Sequence, residues 1–214
     1  MQTYRKEEIV QDVRTALDAN PRDTALLSAG DVDTLTLDRL IGSKIEEAVR
    51  RVHLSAPASL VDGGLPLRGG IHWEELESGW LLLPEDFMRL LVFRMSDWAR
   101  PVFALSDVSA PSYALTGSPF KALRGTAGRP CAYLVERPEG RALAFYSCKS
   151  REATMSEGTY LPHPRFDALG GILICPALYG STVLTAASLT ASALSDGERA
   201  EALMAQGRSL MEQA

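Results

Sequence analysis

The chain has 214 residues, of which 46% are hydrophobic and 23% are charged, close to the average of globular proteins. This composition excludes wholesale disorder, a collagen-like repeat and a pure coiled coil. The formal charge is −5, from 22 Lys and Arg against 27 Asp and Glu. This balance gives no sign of the basic face with which a protein wraps nucleic acid through its phosphates.

Two amphipathic helices are predicted at the start of the chain. The first covers residues 4–19 and ends before Pro21, because proline disfavours helical dihedral angles in the residue that precedes it. The second covers residues 37–54, with Thr36 as its N-cap. Its apolar residues recur at helical spacing and predict a buried stripe: Leu37, Ile41, Ile45, Ala48, Val49 and Val52.

The middle of the chain has the pattern of strands. Short β-compatible segments cover residues 71–75, 80–83 and 90–95. The clearest hairpin joins residues 131–135 to residues 142–147 through a type I turn, with Pro138 and Gly140 in the positions that this turn favours. Residues 105–130 are rich in Ser, Pro, Gly and Ala and are predicted to be irregular.

Two further helices are predicted at the end of the chain. The apolar tract 169–194 is interrupted by Pro176 and diluted by hydroxyl side chains, so it is interpreted as part of a buried helix and not as a membrane span. The last helix follows a capping box formed by Ser195 and Glu198. Its apolar stripe consists of Ala200, Leu203, Met204, Gly207, Leu210 and Met211.

Strands are segregated from helices along the sequence, which predicts the α+β class. We expect a helical bundle formed by the N- and C-terminal helices, with a β-rich middle region. Residues 1–56 and 166–214 form the predicted helical part, and residues 57–165 form the inserted β-rich part. The three cysteines are an odd number at irregular spacing, which indicates reduced thiols made in a cytoplasm.

The sequence contains none of the familiar nucleotide, metal or serine-hydrolase motifs. We therefore expect no cofactor, no metal and no catalytic residue. The alternative is a small cytoplasmic enzyme of hydrolase type, in which Cys131 or Cys148 pairs with His72 or His163 as nucleophile and base. Both cysteines lie in or next to predicted strands, where a cysteine more often acts as a small hydrophobic side chain.

The most specific local pattern lies between Trp80 and Met95. It is a strand, a proline-acid-acid turn, an aromatic anchor and a second strand, and its centre reads Leu83-Pro84-Glu85-Asp86-Phe87-Met88-Arg89-Leu90. This segment resembles the Leu-Pro-x-Asp-Phe-x-Arg-Leu turn of head-to-tail connector (tail adaptor) proteins of tailed bacteriophages. The layout is similar too: a first helix, a second helix with the stripe of residues 41–50, a β-rich insert and a C-terminal amphipathic helix.

The resemblance implies a structural protein of the virion neck, made in the cytoplasm of the bacterial host. Such a protein forms a ring, of twelve copies, between the portal protein and further neck or tail proteins. DNA passes through the ring without sequence-specific binding, and no membrane is involved.

The interface candidates follow from the apolar residues of the last helix and of the motif. An isolated helix of this length is marginal in water, so its stripe must pack on its own domain or on a partner. Phe87 is expected to be buried, with Glu85 and Asp86 capping the turn. The candidates are Leu203, Met204, Leu210, Met211, Phe87 and Trp80.

Overall fold

The computed structural model describes residues 1–18, 36–75, 78–118, 120–146 and 148–213. The predicted helix stop at Pro21 lies outside these residues. In chain order, the helices and strands are β1 (Gln2–Arg5), α1 (Lys6–Ala16), α2 (Leu37–Ser55), β2 (Leu65–Pro66), β3 (His72–Glu75), β4 (Ser78–Leu82), β5 (Phe87–Met95), β6 (Ser106–Asp107), α3 (Pro111–Ala114), α4 (Lys121–Arg124), β7 (Cys131–Arg137), β8 (Gly140–Tyr146), β9 (Met155–Pro162), β10 (Gly171–Ile174), α5 (Tyr179–Ala193) and α6 (Gly197–Gln213).

The chain divides into two compact units. Residues 1–63 and 164–214 form a mainly helical unit, and residues 64–163 form a mainly β-stranded unit. This confirms the α+β class. The short helices α3 and α4 lie in the β-rich unit, so helices are not confined to the terminal regions.

The first boundary between the units lies seven residues later than the predicted position after residue 56. Residues 57–63 stay with the helical unit because its core holds them. Leu60 and Val61 pack against a buried cluster that includes Val52 and Cys175. The Asp62 carbonyl accepts a hydrogen bond from the Cys175 thiol at 3.4 Å.

One core joins the four long helices α1, α2, α5 and α6 of the helical unit. The predicted stripe of α2 is buried, and Ile41, Ile45 and Val49 are completely inaccessible to solvent. The Thr36 hydroxyl oxygen accepts a hydrogen bond from the Arg39 amide at 3.4 Å, which confirms the predicted N-cap. Small side chains of α5 allow α6 to approach closely, and the Ser188 hydroxyl donates to the Ala200 carbonyl at 2.6 Å.

The helical unit also contains a two-stranded antiparallel sheet that the sequence pattern did not indicate. Strand β1 pairs with β10, with Gln2 opposite Ile174. The predicted helices over 4–19 and 169–194 are therefore wrong at their first residues, since α1 begins at Lys6 and α5 at Tyr179. The physical reason at β10 is alternating burial, in which Ile172 and Ile174 enter the core while Leu173 stays exposed.

The β-rich unit contains a three-stranded sheet in the order β2-β9-β5 and a five-stranded sheet in the order β3-β4-β8-β7-β6. The predicted strands correspond to β3, β4 and β5, and the predicted hairpin corresponds to β7 and β8. Strand β9 was not predicted, although it pairs with β5 along nearly its whole length. Phe93, Phe145 and Trp98 are buried in the core of this unit.

The last helix begins one residue later than its capping box predicts. The Asp196 carboxylate accepts a hydrogen bond from the Arg199 amide at 3.2 Å, so Asp196 and not Ser195 is the N-cap. Ser195 has a φ of 65° and ends α5 instead. The Asp196 amide then donates to the Ala191 carbonyl at 3.0 Å, the bond that closes a Schellman turn.

Two substitutions at this junction are expected to change stability in opposite directions. Asp196→Ala removes the N-cap and should lower the free energy of unfolding by about 1 kcal/mol. Ser195→Gly should raise it slightly, because glycine adopts a positive φ without strain from a Cβ atom. Urea unfolding followed by circular dichroism measures both changes. A larger loss for Ser195→Ala than for Asp196→Ala would contradict the assignment of the cap.

Candidate interaction site

The apolar stripe of α6 is divided between core and surface. Leu203 is 7% exposed and belongs to the core of the helical unit. Met204 and Met211 are half-buried, and Leu210 is 44% exposed. We call Met204, Leu210 and Met211 the α6 patch.

The excess negative charge of the protein lies in the unit that carries the α6 patch. Residues 1–63 and 164–214 contain 16 Asp and Glu against 11 Lys and Arg, which gives a formal charge of −5. Residues 64–163 contain 11 of each, so the β-rich unit has a formal charge of zero. The two units therefore present different electrostatics to a partner.

The turn with the connector-like motif is part of the core of the β-rich unit. Phe87 is 3% exposed, as the sequence predicts, and its ring stacks on Tyr160 with the centroids 5.7 Å apart. The Tyr160 hydroxyl donates to the Asp86 carboxylate at 2.9 Å, so this acid bridges the turn to β9. Burial and the Asp86 carboxylate raise the pKa of Tyr160 to about 12, which keeps this hydrogen-bond donor protonated. The motif thus stabilises the fold, and Phe87 belongs to the core in the isolated chain.

Trp80 is half-buried and is partly covered by neighbours within its own unit. Its ring stacks on His72 across β3 and β4, with the centroids 4.2 Å apart. The Arg137 guanidinium lies 5.5 Å from the centre of the indole ring and forms an ion pair with Glu74 at 2.7 Å. Trp80 can therefore contribute only part of its surface to a contact with another protein.

The strand order of the five-stranded sheet separates Cys131 from His72, one of the Cys/His pairs of the enzyme alternative. Cys131 lies on β7 and His72 on β3, three strand positions apart in the five-stranded sheet. At the usual spacing of neighbouring strands this is about 14 Å, far beyond the reach of a hydrogen bond. Cys148 is buried, and burial, together with the nearby Asp97 carboxylate, raises the pKa of its thiol to about 12. A thiol with this pKa is protonated at neutral pH and is a weak nucleophile.

A further Cys/His contact joins residues that are distant in sequence. The Cys175 amide donates to Nε2 of His53 at 3.3 Å, and both residues are completely buried. Burial raises the pKa of the Cys175 thiol. No local sequence pattern indicates this contact, because it depends on how the residue after β10 packs against α2.

Alkylation should distinguish the three cysteines. In the folded protein we expect Cys148 and Cys175 to react very slowly with iodoacetamide at mildly alkaline pH, because the thiolate is the reactive form and burial raises the pKa of both thiols. Cys131 is half-buried and should react first. Peptide mass spectrometry measures the extent of labelling, with the urea-unfolded protein as the control in which all three react. Rapid native labelling of Cys148 would contradict its buried position.

The described ranges bring together no cluster of three or more His, Cys, Asp or Glu side chains with the geometry for a metal ion. Within the same ranges, each helix is too short or too polar to cross a lipid bilayer. No family model matches the sequence, and no curated protein shows significant similarity to it.

Proposed function

We propose that this chain is a structural protein of a tailed-phage neck, forming a ring that joins the portal to the tail and lets DNA pass. The observation that carries the proposal is the two-unit layout. The first and last parts of the chain fold together as a helical unit, and residues 64–163 form a separate β-rich insert. This is the order of parts that the resemblance to head-to-tail connectors implies, with the motif turn in the insert.

The α6 patch is the surface that we assign to the portal. Leu210 is 44% exposed on the last helix, and Met204 and Met211 are each partly exposed, with Met211 also packing against the buried cluster that includes Val52 and Cys175. Apolar side chains at the centre of an interface supply most of its affinity when a partner excludes water from them. Methionine is also suited to a surface that adapts to its partner, because its side chain is unbranched and flexible.

The charge distribution supports passage of DNA without binding. The formal charge of −5 lies in the helical unit, which on this proposal docks on the portal beside the channel. Acidic side chains repel the phosphate backbone and give it no site at which to stay bound. A ring of twelve copies, as in the connectors that the motif resembles, would repeat this charge around the channel.

Binding to the portal is the test of the proposal. The purified protein alone should elute from a size-exclusion column as a monomer or weak oligomer, because the ring forms on its template. Mixed at micromolar concentration with the portal protein encoded in the same genome, it should elute with the portal. Separate elution of the two proteins would contradict the proposal.

A further inference from the structure

We draw no further inference here: the strongest candidate, the pocket beside β5 that Phe87, Leu90 and Phe103 line in the β-rich unit, carries none, because nothing in the described part of the chain shows what covers it.

Discussion

Phe87→Ala should lower the free energy of unfolding of the β-rich unit by about 3–5 kcal/mol, the loss typical of a large aromatic side chain removed from a core. Phe87 is 3% exposed and stacks on Tyr160 of the neighbouring strand β9. Its loss leaves a cavity beside the turn that connects β4 to β5. All three tryptophans lie between residues 73 and 98, so tryptophan fluorescence during urea unfolding reports on this unit.

Phe103→Ala is the matched control for this measurement. It is the same substitution in the same unit, but Phe103 is 60% exposed. We expect a change within about 0.5 kcal/mol, as for most exposed positions. Equal losses for the two variants, or a negligible loss for Phe87→Ala, would contradict the core role of the motif turn.

Aspartate substitutions at two leucines of α6 should have different consequences, one for folding and the other for binding to the portal. Leu203→Asp places a carboxylate in the core of the helical unit and should lower the free energy of unfolding by more than about 3 kcal/mol. Leu210→Asp changes an exposed side chain of the same helix, so the protein should stay folded and lose its binding to the portal. Circular dichroism melts and portal binding by size-exclusion chromatography separate these two effects.

Gln206→Asp provides the control for added charge. Gln206 is exposed on α6, so this variant carries the same new carboxylate on the same helix without altering the α6 patch. Both folding and portal binding should be retained. If Leu210→Asp binds the portal as well as Gln206→Asp does, the α6 patch is not the portal interface.

The sequence predicted elements best where several local signals agreed. Helix α2 has an apolar stripe of helical period and a capping threonine, and the structure matches both. The sequence predicts a helix where β10 lies, because a short apolar run fits a helix or a strand until its pairing partner is known. That partner is β1, near the start of the chain. Strand β9 was missed because Gly158 and Pro162 interrupt its pattern, yet pairing with β5 outweighs local preference.

The sequence also could not predict which residues of the α6 stripe are buried in the core and which are exposed. Leu203 and Leu210 are chemically identical and lie seven residues apart, so helical periodicity places them on nearly the same face. Their different exposure depends on where α5 covers α6, which is a tertiary property.

Native mass spectrometry of the protein mixed with its portal, together with negative-stain imaging of the same sample, tests the neck assignment. The assignment predicts that the free protein is monomeric or weakly associated. It also predicts that the mixture contains a closed ring of this chain, of twelve copies, stacked on the portal ring. A mixture at micromolar concentration that contains only free portal and free protein would contradict the assignment.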